Sequence, residues 1–567
     1  MSPIELVSPI LHFGTINRGF ITFVIGSGWG ASTFDIGFRT TPESTRVHIL
    51  TCFMKKNIVL ILIASCLYFS AEATSRLVPG NYSSVQDALN VSKAGDTVLV
   101  DDGVFTGNII WPNYNGIVLK SLHGKEASFL DGNAAGSVIT INGTPNTVAT
   151  IDGFTIQNGF VRATSSNGYV AGGAAVNAVN TVLIVKNCNI TENRLTGDIE
   201  HFSYCTGAGI NADASKLNIS NCNFSENTVD STYNVFGGVI YASNSQSSLS
   251  GLTFQENGIT AFASIQGGIL AQSTGKANIK NSSFTQNRVT VTDAGSVSGG
   301  TCYFSDLGSG SFTNVLIGDN TISSAFTVQG GSIWSSFSLS LIHCTLAGNH
   351  FTTGTGIGGN AISLNNNIAG TPKLKVTNSI MWSPEGSPFE MAFVGSPSVT
   401  YSDVYGGFSG AGNFALDPLF VSSSDFHLQN SSPCLNTSSA AANPPLDLEG
   451  NNRPMPVGTK ADLGALETNQ PLKTMDVVTD AGLMSGMDVY PNPVHASANI
   501  EFELADANDV VIDIIDLSGR NVKHILASNL EAGVYSISFN AEQLAPGAYF
   551  IKTQIGDKTL DQKITVD

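Results

Sequence analysis

Between Val182 and Trp382 one pattern is written several times over, and such a repeat restricts the fold more than any other feature of the chain. The stretch Leu217–Asn227 reads LNISNCNFSEN and Ala277–Asn287 reads ANIKNSSFTQN. A closing asparagine recurs at Asn193, Asn227, Asn257, Asn287, Asn320 and Asn349, at spacings of 34, 30, 30, 33 and 29 residues. Loop length therefore varies while a core segment is kept. Three residues before each asparagine stands an apolar side chain (Ile190, Phe224, Phe254, Phe284, Ile317, Leu346), and eight before it another (Val185, Ile219, Leu249, Ile279, Phe312, Leu341). Apolar and polar residues alternate around the second set, as in a strand with one buried face. A second short strand follows each glycine pair, as in Gly237-Gly238-Val239-Ile240-Tyr241. Each repeat thus holds at least two strands and a glycine corner.

Such units bury their apolar faces only by stacking. Because they all run in one direction, like strands pair in parallel at about 4.8 Å and equivalent residues form columns. This predicts an all-β chain built on a parallel β-helix. Asn187, Asn221, Asn281 and Asn314 then stack as a turn ladder, and Cys188, Cys222 and Cys344 as a small apolar column. A Cys188–Cys222 disulfide is the other reading of that pair, since exported chains permit one. No CxxC pair or His/Cys cluster has metal-ligand spacing.

Composition agrees. Only 12% of the 567 residues are charged, and turn-forming residues abound. The net charge of -18 repels phosphate backbones, which excludes nucleic acid as a partner.

Upstream of the repeat, Tyr82–Asn90 has helical spacing and leads into Gly95–Phe105, which reads G-D-T-V-x-V-x-x-G-x-F. This resembles the N-terminal cap and first coil of pectin-lyase-like proteins, and Ile151–Gly159 continues the likeness, which covers residues from about 77 to 400. It implies a right-handed parallel β-helix over residues 74–400. Residues 401–467, with Leu416-Asp417-Pro418-Leu419-Phe420 and Asp447–Pro454, resemble the closing segment of exported β-helix proteins described as choice-of-anchor domains. There Asp447, Glu449, Asn451 and Asp462 could offer hard oxygen ligands to calcium, or could be polar turns that seal the last coil. No other cofactor is called for.

After a linker at 468–486, residues 487–567 show short β-rich runs (498–504, 510–516, 533–540, 547–554) with turn signals between them, a small Ig-like β-sandwich. The opening Tyr490-Pro491-Asn492-Pro493, the turn at Gly519, the Gly547-Ala548-Tyr549 run and the final Lys563–Val566 resemble type IX secretion C-terminal sorting domains. That likeness implies the secretion machinery as partner and the cell surface or medium as destination.

At the other end, Met54-Lys55-Lys56 precedes the apolar run Ile58–Phe69 and the A-x-A site Ala71-Glu72-Ala73. This is signal-peptide design over 54–73, with 12 apolar residues where a membrane-spanning helix needs about 20. It places the natural start at Met54 and makes 1–53 a non-native extension. A lipobox ending at Cys66 is the competing reading. No transmembrane helix is expected, and the exported chain is read as a monomer.

A lyase needs a base near a carboxylate-binding cation site, and a glycoside hydrolase a close carboxylate pair. Lys186, Glu192, Arg194, Asp213, Lys216, Glu226, Arg288 and Asp319 lie scattered along the chain. Asp101 and Asp102 adjoin, but neighbours in a strand point to opposite faces, so they are not expected to converge. No catalytic residue is assigned. The segments between closing asparagine and glycine pair carry Phe202, Tyr204, Tyr233, Phe236, Phe262, Phe326 and Phe351 among Thr and Ser. Stacked on one side, Tyr204, Tyr233, Phe236, Phe262 and Phe326 could line a groove for glycan faces. The expectation is a surface protein with a glycan-binding, adhesive or structural role, with a polysaccharide lyase or glycoside hydrolase as the alternative.

Overall fold

The computed structural model describes residues 73–567 except 294, 306–308, 355–360, 366–372, 384–388, 393–396, 441–442, 456, 469–483, 505, 518, 532 and 556–557, together with three earlier strands. Those strands, Leu11–Phe13, Phe20–Ser27 and Gly30–Gly37, form an antiparallel sheet. Of the expected leader, only Ala73 is described, and it is exposed. Ala71 and Cys66 lie outside the described residues.

From Ser75 to Val404 the chain is a parallel β-helix. The coil that begins at Ile210 shows the unit, with four strand segments where the repeat pattern had indicated at least two: Ile210–Asp213, Lys216–Ser220, Asn223–Ser225 and Thr228–Phe236. We call them the first to fourth strands of a coil. Each pairs in parallel with its counterpart in the next coil, Ile219 with Leu249 and Phe224 with Phe254. Inward residues form one continuous core, through which Phe224, Phe254 and Phe284 stack at 4.8 and 4.5 Å. That run of rings is the phenylalanine column three places before the closing asparagine.

Two of the corners have residue types that suit their backbone. After the second strand, Asn187, Asn221, Asn281, Asn314, His343 and Asn378 all take left-handed φ between 46° and 55°, where asparagine is the best tolerated side chain. After the fourth strand the first glycine of the pairs at Gly237, Gly267, Gly299 and Gly330 is left-handed, with φ between 55° and 71°. The second is needed for closeness: a Cβ on Gly268 would strike the Gly300 carbonyl and Val289. The closing asparagines form a buried ladder between the third and fourth strands. Each is at most 5% exposed, and Asn257 Nδ2 donates to Asn287 Oδ1 at 2.8 Å while Asn227 Nδ2 donates to Asn257 Oδ1 at 3.0 Å.

At the N-terminal end the helix is shorter than its spacing suggested. It runs Val85–Asn90, N-capped by Ser84, and buries Val85, Ala88 and Leu89 over the open core. Asp96 of the G-D-T-V motif binds Arg76 at 2.6 Å. Burial opposes its charge, but the N–H groups of Lys93 and Thr74 and the guanidinium outweigh that and hold the carboxyl below its usual range.

Cys188, Cys205, Cys222, Cys302, Cys344 and Cys434 are buried free thiols. The Cys188 N–H donates to Cys222 Sγ at 3.4 Å, as expected of a stacked column, and no disulfide joins them. The closing segment is fastened to the corner after the second strand. Asn314 Nδ2 donates to Leu446 O at 2.6 Å, and the Gly464 N–H to Asn378 O at 2.9 Å.

The C-terminal unit has its own core and seven strands. Three form one antiparallel sheet (Met484–Tyr490, Ser497–Leu504, Gly533–Asn540) and four another (Asn508–Ile515, Asn521–Leu530, Gly547–Ile555, Lys558–Val566). This is a small β-sandwich, and it adds three strands to the four β-rich runs visible in the sequence. Among the described residues no helix is long and apolar enough to cross a membrane.

Candidate functional site

The fourth strand bends midway, and the aromatic residues gather around the bend. Ser231 takes φ 50° there. Buried Thr232 shares a hydrogen bond of 3.1 Å with Ser203 of the preceding coil, which fixes the corner. Tyr233 then lies between Phe202, edge-on at 4.6 Å, and Phe262, tilted at 5.7 Å. Past the bend, Tyr204 stacks over Phe236 at 5.8 Å and 17°, and Phe236 approaches Tyr241 at 6.3 Å. Val235 and Cys205 point inward between them, so the rings project outward. Beside them the outward ladder is polar, with Ser264 Oγ donating to Asn234 Oδ1 at 2.6 Å. Phe202, Tyr204 and Phe326 are 62%, 39% and 49% exposed. Phe326 stands at the same corner two coils beyond Phe262. Phe351 departs from the loop role: it pairs in register with inward Ile322 and packs against the core.

The charged residues are not scattered in space. Glu192, Glu226, Glu256, Gln286 and Asp319 occupy one corner column, all with φ between 54° and 58°. Arg194 and Arg288 share an outward column of the fourth strand. Lys186 and Lys216 lie on the outward face of the second strand. The stack aligns positions about 30 residues apart, which a linear reading does not display.

Asp101 and Asp102 also differ from expectation. They sit in a bend and not within a strand, and His123 Nδ1 meets both, at 3.5 and 2.7 Å. Among the described residues this is the one group of three His, Cys, Asp or Glu side chains close enough to share a metal ion. All three side chains are about half exposed or more.

Among the described residues, Asp447, Glu449 and Asp462 do not form a group close enough to share a metal ion. Asp447 is buried and accepts the N–H groups of Glu449, Asn451 and Glu467 at 2.9, 2.7 and 2.8 Å. Asn451 is exposed, and its Nδ2 donates to Asp447 at 3.2 Å. Glu449 turns outward to His427 at 3.2 Å. Asp462 accepts from the N–H groups of Asn436 and Thr468 at 2.7 and 2.8 Å.

The centre of this segment is a group the sequence reading passed over. Arg453 is buried with its Nε 3.5 Å from Glu467, and donates to the carbonyls of Asp462 and Gly464. It also donates to Nδ1 of buried His343. Burial, and then the adjacent guanidinium, bring the imidazole down to about 3, so it is neutral. Burial pushes the Asp403 carboxyl up to about 7, where it accepts from Cys434 Sγ. Glu467 is likewise raised to about 7, first by burial and then by Asp462. Burial also raises the Cys205 and Cys344 thiols to about 12, which leaves them protonated and poor nucleophiles.

In the C-terminal unit the Tyr490–Pro493 turn is tied to the last strand. Asn492 Nδ2 donates to Lys563 O at 3.2 Å, and Asn492 Oδ1 accepts from the Thr565 N–H at 3.0 Å. Pro491 and Pro493 flank that asparagine. Gly519 takes φ 81° in a tight turn, and the Tyr549 hydroxyl, two residues after Gly547, donates to Ala545 O at 2.8 Å.

Residues 488–567 match the family described as "Secretion system C-terminal sorting domain". The chain is therefore exported by type IX secretion to the cell surface or the extracellular space. No curated protein matches the chain. Among solved structures, the enzymatically active domain of tailspike protein 4 from bacteriophage CBA120 is similar at 13% identity over 85% of this chain and 64% of that one. The overlap spans less than two thirds of the tailspike domain, and its TM-score of 0.18 is too low to bear on fold or function.

Proposed function

We propose that this protein is an extracellular glycan-binding scaffold, in which the solenoid holds saccharides against aromatic columns and carries out no chemistry on them. The observation that carries this reading is the outward stack of Tyr204 on Phe236, with Tyr241 beyond it and the Phe202–Tyr233–Phe262 column at the adjoining corner. An aromatic face offers a flat apolar surface to the C–H face of a sugar ring. The neighbouring Asn234, Ser264 and Gln266 supply donors and acceptors for its hydroxyls. A rigid solenoid repeats such contacts along its axis, so several weak ones add within one linear ligand.

A glycan array probed with the exported chain tests this. Binding that falls at least tenfold in Tyr233→Ala/Phe236→Ala, with an unchanged melting temperature, supports the reading. Equal binding by the variant would assign the rings to packing alone. Release of unsaturated sugars absorbing in the ultraviolet would establish a lyase instead.

A further inference from the structure

The geometry points to a second binding face, distinct from the aromatic columns, that takes a linear anionic polysaccharide. It is the outward side of the second strands, from Lys216–Ser220 through the coil of Leu374–Thr377. Lys216, Lys276, Lys280, Lys373 and Lys375 all project from it, exposed. Among the described residues none of the five has an ion-pair partner, and no Asp or Glu occupies an outward position on these strands. That is a marked segregation in a chain of net charge -18. Acids of these coils lie elsewhere, at Glu192, Glu226, Glu256 and Asp319 in the corner column after the third strand, at Asp213 in a first strand and at Asp230 in a fourth.

Relief comes from the residues between the lysines. Ser and Asn side chains there are short, so the strand surface drops below the lysine stems. Two shallow depressions result, of about 490 and 400 Å³. Lys276 and Asn278 border both, which makes them one trough. Strands in a sheet lie about 4.8 Å apart, so the five steps from the Lys216 coil to the Lys375 coil give a length of about 24 Å.

That length, with cations along it, suits a polymer and exceeds a single small anion. Polymer type follows from charge density and from the floor. Lys216 and Lys276 are two coils apart, about 10 Å, whereas duplex DNA carries a charge every ~1.7 Å. Single-stranded nucleic acid is held on stacking aromatic rings, and no outward position of this face carries one. A floor of hydroxyls and amides (Asn218, Ser248, Asn278, Ser311) matches a sugar chain with sparse carboxylate or sulfate groups. The first strands and the fourth-strand aromatics take no part, so this face stands or falls independently of the proposed aromatic site.

The test is calorimetric titration of the full chain with alginate, chondroitin sulfate, neutral dextran and single-stranded DNA, at low and high salt. Binding to alginate or chondroitin sulfate, weakened at least tenfold by high salt and by Lys216→Gln/Lys276→Gln/Lys280→Gln, is expected. The charge-matched variant Lys93→Gln/Lys460→Gln/Lys552→Gln, exposed lysines that lie on none of these second strands, should bind as the parent does. Alginate against chondroitin sulfate separates carboxylate from sulfate recognition. Equal loss in both triple variants would reduce the effect to net charge and overturn the proposal. So would no binding to either glycan, or tighter binding to DNA.

Discussion

The buried side chain of Asn257 makes five hydrogen bonds. Its amide donates to Asn287 Oδ1, Phe224 O and Gln255 O, and its Oδ1 accepts the N–H and Nδ2 of Asn227. Removing it leaves donors and acceptors on three coils buried without partners, which costs far more than one bond between solvated groups. Asn257→Ala should destabilise the solenoid by about 2–4 kcal/mol, seen as a lower denaturant midpoint in guanidinium. Exposed Asn221 is a natural comparison, since its side-chain contact to Asn187 is a single one of 3.4 Å, and its replacement by glycine should be nearly neutral. The recurrence of both asparagine sets is plain in the sequence. Which set is buried is not, because one residue of shift decides whether a side chain enters the core or the solvent.

The closing segment has a chemistry of its own. The turn-rich block at 447–454 was visible in the sequence, but Arg453 meets His343, and Cys434 meets Asp403, only because the segment folds back on the coils. Asp403 and Glu467 hold their protons up to about pH 7 when folded, against about 4 when unfolded. The folded segment therefore binds more protons between these values, so its stability is full at low pH and declines as pH rises through 7. Hydrogen exchange over residues 401–467, corrected for intrinsic rates, should show weaker protection at pH 8 than at pH 5. Asp403→Asn should remove part of that difference, about 1–2 kcal/mol once partial solvation is allowed for. Equal protection at the two pH values would contradict the burial of these carboxyls.

Along the chain, the solenoid of residues 75–404 is followed by a C-terminal delivery unit. Deleting residues 487–567 should leave the solenoid folded and strand it in the periplasm, which fractionation with antibody against the solenoid would detect. Surface display of the truncated chain would contradict the role of the tail. Strand direction, coil stacking and the inward columns were determined by sequence alone, since the spacing of asparagines and apolar residues admits one way of burying them. The sorting tail was equally legible, its turns and β-rich runs being local. What only the tertiary structure decided is which distant side chains share a column. Lys216 and Lys276 are separated by 60 residues of chain and lie two strands apart on one face, and the same stacking gathers the acids into a corner and the rings around a bend. Variable loops make the repeat length irregular, so charge and aromatic columns are set by hydrogen-bonded register across coils, a property that no linear spacing carries.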